Sequence, residues 1–85
     1  MEHFTTPNFW ECYKALPKAV RKLADKNYVL LRSDSSHPSL HFKKVGELWS
    51  VRVGLHYRAL AVERKEGYVW FWIGTHAEYN HLIEA

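Results

Sequence analysis

Four short segments in the second half of the sequence have the residue content of β-strands, and they restrict the possible folds more than any other feature. They cover residues 40–45, 48–53, 57–62 and 68–73 and are separated by turns of two to five residues. Connections this short join antiparallel strands, because a parallel crossover needs about a dozen residues or more. The last segment is apolar or aromatic at every position, which is typical of a strand buried on both faces. The second half therefore predicts a mostly antiparallel sheet of about four strands.

The first half of the sequence has a helical pattern instead. Asn8 and Glu11 have the spacing of a capping box, which predicts a first helix that ends near Ala15. Pro17 lacks an N–H group and fits the first position of a helix, so it predicts a second helix after a bend. The second helix separates lysines from apolar residues, with Lys18, Lys22 and Lys26 opposite Val20, Leu23, Ala24 and Leu31.

The remaining segments complete the predicted architecture. Residues 33–39 are polar and turn-rich, which predicts a loop between the helices and the sheet. Residues 76–85 predict a short C-terminal helix capped by Thr75. The segment around Phe4 is too short to assign. The 85 residues suit one domain, residues 1–85, of the α+β class. We expect the two N-terminal helices to pack on one face of the sheet.

Composition excludes several classes of protein. With 47% hydrophobic and 25% charged residues, the chain has the content of an ordinary globular domain and not of a disordered one. Its longest apolar run has six residues, far below the roughly 20 that a membrane helix needs. Cys12 is the single cysteine and cannot form an internal disulfide, and the N-terminus has no secretory pattern. The expected location is therefore the cytoplasm, without a membrane partner.

Alternation along the first three strand segments predicts a basic face on the sheet. Successive side chains of a strand point to opposite sides, so the apolar residues can meet the helices, and the small Ala59 and Ala61 leave room for close approach. The residues left for the other side are His41, Lys43, Ser50, Arg52, His56 and Arg58. The net charge of +3 and this concentration of cations suit a polyanionic partner such as a nucleic acid.

The last strand segment has two interpretations. Alternation predicts that Trp70 and Trp72 share one side, opposite Val69, Phe71 and Ile73. If the tryptophans join the basic face, they offer stacking surfaces to unstacked bases. Alternatively, they form a second small core under the C-terminal helix.

Neither a metal site nor a reactive thiol is expected. The sequence has six histidines, but no Cys or carboxylate accompanies them at ligand spacing, and His37 and His41 are divided between a loop and the start of a strand. Cys12 falls on the apolar side of the first helix, where a thiol is usually inert packing. We therefore expect no metal and no other cofactor.

Several motifs, in a fixed order, give the sequence a resemblance to a known family. They are His-Pro-Ser-Leu-His-Phe-Lys at 37–43, Trp-Ser-Val-Arg-Val at 49–53, Tyr-Arg-Ala-Leu at 57–60 and Trp-Phe-Trp-Ile-Gly-Thr-His-Ala-Glu-Tyr at 70–79, with a leading helical segment at 9–17. From His3 to about Leu82, the chain resembles the RelE/ParE superfamily of toxins from bacterial type II toxin–antitoxin systems. The resemblance implies helices packed on a curved antiparallel sheet, and a cognate antitoxin that covers the basic surface.

The superfamily has two activities: RelE-like members cut mRNA on the ribosome without a metal, and ParE-like members poison DNA gyrase. By resemblance, Arg58 matches the strand arginine of the RelE-like site, and His76 stands where those enzymes carry an arginine or histidine. Tyr79 approximately matches their late tyrosine. The predicted catalytic residues are thus Arg58, His76 and Tyr79, and the predicted RNA-binding residues are Lys43, Arg52, His41, His56, Trp70 and Trp72.

These residue types suit RNA cleavage. An imidazole that titrates near neutrality can transfer a proton, and a guanidinium can neutralise the charge of the phosphorane. The sequence therefore predicts a metal-independent endoribonuclease toxin that acts on mRNA, with the ribosome, and inhibits translation. A toxin directed at DNA gyrase is the alternative, as is a non-catalytic module that binds nucleic acid or protein.

Overall fold

The computed structural model describes residues 2–84, which form a five-stranded sheet with two helices on one side and a third helix on the other. The strands are β1 (Glu2–Thr5), β2 (Lys43–Val45), β3 (Leu48–Val53), β4 (Tyr57–Arg64) and β5 (Gly67–Thr75). Their spatial order is β1-β5-β4-β3-β2, with β1 parallel to β5 and the other neighbours antiparallel. The predicted α+β class with a mostly antiparallel sheet is confirmed, with one strand more than expected.

The additional strand is β1, which the sequence left unassigned. It lies at the edge of the sheet, where Glu2 pairs with Gly67 at the start of β5. Gly67 has a φ of +150°, and a Cβ at this position would collide with the backbone of Glu2. Only glycine therefore allows β1 to approach β5 this closely.

The two N-terminal helices are α1 (Pro7–Lys14) and α2 (Lys18–Ser33), as the helical pattern predicts. The cap of α1 differs from the prediction. Thr6 is the N-cap, since its Oγ1 accepts a hydrogen bond from the Phe9 N–H at 3.2 Å. The Asn8 amide instead donates to the Phe71 carbonyl oxygen at 2.8 Å, which ties α1 to β5. The capping box predicted at Asn8 is therefore wrong.

Strand β2 is shorter than predicted because a 3-10 turn occupies the start of that segment. The turn covers Pro38–Leu40, and His41 follows it in a left-handed conformation with a φ of +45°. An extended strand therefore begins only at Lys43. Leu40 is still fully buried in the core, as expected for an apolar residue of this segment.

The main core lies between the sheet and the helices α1 and α2. Its buried members are Leu16, Leu31, Leu40, Val51, Val53, Ala59, Ala61, Tyr68, Trp70 and Ile73. Ala59 and Ala61 lie on the helix side of β4, as strand alternation predicts.

A β-bulge in β5 changes the positions of the two tryptophans. Ala61 pairs with Trp70 and the preceding Leu60 pairs with Trp72, so Phe71 is an extra residue in β5. The extra residue reverses the alternation. Trp70 lies in the main core and is 3% exposed, while Trp72 lies on the opposite face beside Leu60. The prediction that both tryptophans share one side is therefore wrong.

Helix α3 (His76–Glu84) packs on the side of the sheet opposite α1 and α2. Thr75 caps it as predicted, since the Glu78 N–H donates to Thr75 Oγ1 at 3.1 Å. Within the described residues of α3, only Tyr79 is buried. No helix in the part of the chain that the structure describes is long and apolar enough to cross a membrane.

Candidate functional site

The side of the sheet that packs against α3 carries most of the predicted site, and we call it the α3 face. Strand register sets its rows: Lys43, Ser50, Leu60 and Trp72 form one row, and Arg52, Arg58 and Gly74 form the next. Arg52 and Arg58 are thus directly opposite each other on β3 and β4. Like charges in opposite positions destabilise a strand pair, so this row favours the binding of an anion.

Arg58 is the central side chain of the α3 face. It is half-buried, and its Nε and Nη1 atoms are shielded from solvent without a hydrogen-bond partner. Its guanidinium carbon lies 5.4 Å from the centre of the Tyr79 ring, a cation–π contact. Among residues 2–84 the only ion pair joins Lys14 and Glu11, so no carboxylate neutralises Arg58. Buried donors that lack acceptors are uncommon in folded proteins, and a catalytic role or a bound ion is among the explanations for them.

Arg52 is held beside Arg58 by two contacts. Its Nε donates to the Gly54 carbonyl oxygen at 3.0 Å, and its Nη1 lies 3.2 Å from Nε2 of His41. A guanidinium can only donate, so Nε2 of His41 is the acceptor in this contact. The left-handed backbone of His41 brings its ring to Arg52 at the end of the 3-10 turn.

His76 and Tyr79 are adjacent on the first turns of α3. Their ring centres are 5.7 Å apart, and Asn80 Nδ2 lies 3.3 Å from His76 Nδ1, which fixes the imidazole and leaves its Nε2 available. The backbone N–H of His76 donates to the His56 carbonyl oxygen at 2.7 Å, so the start of α3 is attached to the turn between β3 and β4. The three residues predicted to be catalytic are therefore neighbours in space, because Tyr79 contacts both Arg58 and His76.

The first turn of α3 is held by an ionised carboxylate. The N–H and O–H groups of Thr75 both donate to Glu78 Oε1, at 3.0 and 2.9 Å. These hydrogen bonds stabilise the charged form of Glu78 and therefore lower its pKa below the ordinary value of 4.5. The bond from the Thr75 backbone N–H has the larger effect, and the bond from the hydroxyl adds to it. At neutral pH, Glu78 thus helps to keep Tyr79 and His76 in position.

The other predicted RNA-binding residues are divided between the two sides of the sheet. Lys43 and the His56 side chain are exposed, and Trp72 is half-buried on the α3 face. The Trp72 ring lies across Gly74, where an added Cβ would collide with it. Trp70 does not belong to the site, because it is buried in the main core and its Nε1 donates to His3 Nδ1 at 3.1 Å. The bulge at Phe71 is the reason for this correction.

Sequence reasoning did not single out two polar residues of this region as site residues. Asn80 orients His76. The sequence signal for this role is the four-residue spacing, which places the two side chains next to each other on a helix. Ser50 falls on the basic side by alternation, but its complete burial has no sequence signal.

Fold and site together define a small α+β domain with a cationic sheet face beneath a short C-terminal helix. The family model described as ParE-like toxin domain matches residues 18–81. The chain therefore belongs to this family of toxin domains, within the RelE/ParE superfamily that the motifs indicate.

Two solved structures share the fold. A RelB–RelE antitoxin–toxin complex from Methanococcus jannaschii matches with a TM-score of 0.72 and 16% identity, over 93% of this chain and 96% of that chain. The isolated RelE toxin of E. coli matches with a TM-score of 0.62 and 11% identity, over 96% of this chain and 94% of that one. A search of curated proteins gave no match. At these identities the two structures establish the fold alone.

Proposed function

We propose that this chain is the toxin of a type II toxin–antitoxin system and that it cleaves mRNA in association with the ribosome, which inhibits translation. The observation that carries the proposal is the state of Arg58, whose Nε and Nη1 are buried without acceptors beside Tyr79. Arg52 stands opposite Arg58 in the strand register. A phosphodiester supplies the acceptors that Arg58 lacks and the negative charge that neither arginine has beside it.

Cleavage of RNA requires three events at one phosphate. A base takes the proton of the 2′-hydroxyl, the 2′-oxygen attacks phosphorus, and the bond to the 5′-oxygen breaks as that oxygen receives a proton. The product strand then ends in a 2′,3′-cyclic phosphate. Arg58 can stabilise the charge that develops on the phosphorane oxygens, so the reaction needs no metal ion or other cofactor.

The proton transfers fit the two residues on α3. Histidine is the commonest general acid or base in enzymes, so His76 can perform one of the transfers. Its Nδ1 is engaged by Asn80, which leaves Nε2 for the substrate. The Tyr79 hydroxyl is the second candidate, on the ring that contacts both Arg58 and His76.

The remaining residues of the α3 face suit RNA binding. Lys43 and Arg52 provide positive charge for phosphates on either side of the cleaved one. His41 is exposed and supports Arg52, and His56 is exposed in the turn between β3 and β4. Trp72 offers a ring on which an unstacked base can rest.

A cognate antitoxin is the expected protein partner. One of the two similar structures is a RelE toxin in complex with its RelB antitoxin. An antitoxin that covers the α3 face with acidic residues would neutralise its cations and exclude RNA. Because translation takes place in the cytoplasm, we expect this protein to act there.

The family description favours a second candidate function. The matching model is that of a ParE-like toxin domain, and a toxin of the ParE type would inhibit DNA gyrase without cutting RNA. In that case the cations of the α3 face would contact a protein or DNA surface.

The two candidates are separated by one experiment. Purified protein is incubated with mRNA and ribosomes in EDTA, beside an Arg58→Ala variant, and gyrase supercoiling is measured in parallel. Our proposal predicts cleaved mRNA with the wild-type protein, little cleavage with the variant, and normal supercoiling. Intact mRNA together with inhibited supercoiling would establish the gyrase-directed function instead.

A further inference from the structure

Ser50 has an unusual environment for a residue in the middle of a sheet. It lies on β3 between Lys43 of β2 and Leu60 of β4, with no part of the residue exposed to solvent. Its Oγ is buried and has no hydrogen-bond partner. Burying a hydroxyl without a partner costs free energy, whereas an alanine at the same place would not.

The other buried side-chain atoms without a partner, among residues 2–84, belong to Arg58, a neighbour of Ser50 on the sheet. Among the described residues, three buried side-chain polar atoms lack a partner, namely Ser50 Oγ, Arg58 Nε and Arg58 Nη1. Ser50 pairs with Leu60 and Arg58 pairs with Arg52, so Ser50 and Arg58 are diagonal neighbours on the α3 face. Diagonal neighbours on one face are about 7–8 Å apart at Cα, within reach of a long arginine side chain. The three atoms therefore belong to one small region.

The polar groups near α1 and α2 do not share this property. The Tyr13 hydroxyl donates to Asp25 at 2.7 Å, Trp70 Nε1 donates to His3, and the Asn27 amide donates to the Arg52 carbonyl oxygen at 3.2 Å. Missing partners are therefore a local property of the α3 face. All three unpartnered atoms can donate, and donors on neighbouring residues of one face suit the oxygens of a phosphate group.

We propose that Ser50 is a phosphate-binding residue of the RNA site: its hydroxyl and the Nε–H and Nη1–H groups of Arg58 together hold the non-bridging oxygens of the cleaved phosphate. This inference rests on the proposed endoribonuclease function. The Tyr79 ring lies over the Arg58 guanidinium, so the phosphate reaches these donors when that ring moves aside. Ser50 acts only as a hydrogen-bond donor and forms no covalent bond.

Ser50→Ala tests the proposal, because structural and functional roles predict different results. The variant loses a buried hydroxyl that has no partner, so we expect its melting temperature to rise by about 4–8 °C. We also expect cleavage to fall by about 10- to 100-fold, as for loss of a hydrogen bond to a charged group. Ser50→Cys keeps a weak donor of similar size and should recover part of the activity. Ser35→Ala, which removes an exposed hydroxyl, should change neither quantity.

A phosphorothioate substitution separates contact with the phosphate from a general packing effect. Sulfur in place of one non-bridging oxygen weakens hydrogen bonds to that position, so the wild-type enzyme should cut such an RNA more slowly. If Ser50 binds that oxygen, the penalty for sulfur should shrink in Ser50→Ala. An unchanged penalty and unchanged cleavage in a more stable variant would overturn the proposal, while Arg58→Ala would still report on the nuclease function.

A binding measurement tests Ser50 even if the wild-type protein cuts no RNA. Inorganic phosphate is titrated into labelled protein while the NMR signal of the Arg58 Nε–H group is followed. A phosphate-dependent shift that weakens at least several-fold in Ser50→Ala supports the proposal. No shift in the wild-type protein, or equal shifts in both proteins, would contradict it.

Discussion

The two faces of the sheet differ in what their side chains do. The helix side is filled by apolar and aromatic residues beneath α1 and α2, and its polar groups have partners. Burial lowers the pKa of His3 there and so favours the neutral ring, which accepts a hydrogen bond from Trp70. The α3 face has buried donors without acceptors, on Arg58 and Ser50, beneath a nine-residue helix. The comparison indicates that the first face stabilises the fold, whereas the second gives up some stability for binding.

The largest expected effect distinguishes the two tryptophans. Trp70→Ala should lower the free energy of unfolding by about 3–5 kcal/mol, because it leaves a cavity in the main core. Trp72→Ala should cost less than half as much, since Trp72 is half-buried, and should weaken RNA binding by about 1–3 kcal/mol. Denaturant unfolding and RNA titration measure the two quantities. A larger stability loss for Trp72 than for Trp70 would reverse the face assignment.

The next effect concerns Arg58. Arg58→Ala should reduce cleavage by about 10²–10³-fold, or about 3–4 kcal/mol of transition-state stabilisation. Its free energy of unfolding should change by about 1 kcal/mol or less, since the lost cation–π contact is offset by the removal of unpartnered donors. Single-turnover cleavage and denaturant unfolding provide both values. Arg64→Ala, an exposed site on the same strand, is the control and should leave both unchanged.

His76→Ala should have a similar or smaller effect on cleavage, about 10²-fold, because one proton transfer is lost. The pH–rate profile should lose one of its limbs. His81→Ala, an exposed histidine on the same helix, should retain both the rate and the profile. A full profile in the His76 variant would mean that another group transfers the proton.

The smallest effect concerns Glu78 and depends on pH. The folded-state pKa of Glu78 is lowered, so its contribution to stability is present above about pH 4.5 and is lost as the pH falls through the folded value. Glu78→Gln should therefore loosen α3 slightly at neutral pH and differ little from wild type at low pH. Hydrogen exchange of the α3 amides at the two pH values measures this difference. Equal protection in both proteins at neutral pH would show that the cap contributes little.

The sequence predicted those parts of the fold that local patterns determine. Strand β3 was predicted at 48–53 and lies at Leu48–Val53, because polar turns bound an alternating segment. The bulge at Phe71 could not be predicted, since Phe71 is as apolar as its neighbours. The Phe71 carbonyl oxygen accepts a hydrogen bond from Asn8, a residue that is distant in the sequence. The side-chain positions of Trp70 and Trp72 depended on that one residue.

Strand alternation and the family resemblance together predicted part of the candidate site. Alternation correctly separated Arg52 and Arg58 from the main core, and the resemblance indicated His76 and Tyr79, which the helix cap then brings beside Arg58. Whether a polar atom has a partner depends on tertiary contacts, so the state of Ser50 had to be read from the structure.

The salt dependence of RNA binding tests most directly whether the α3 face is the RNA site. The probe is a single-stranded RNA with 2′-O-methyl riboses, which cannot be cleaved, and affinity is measured at several salt concentrations. For about four phosphate contacts, log affinity should fall with log salt at a slope near −3. Replacing Lys43, Arg52 and Arg58 by alanine should bring the slope to about −1. Replacing Lys18, Lys22 and Lys26 by alanine removes the same charge from exposed positions on α2. This variant should keep a slope near −3. A flat wild-type dependence, or equal losses in the two triple variants, would contradict an RNA site on the α3 face.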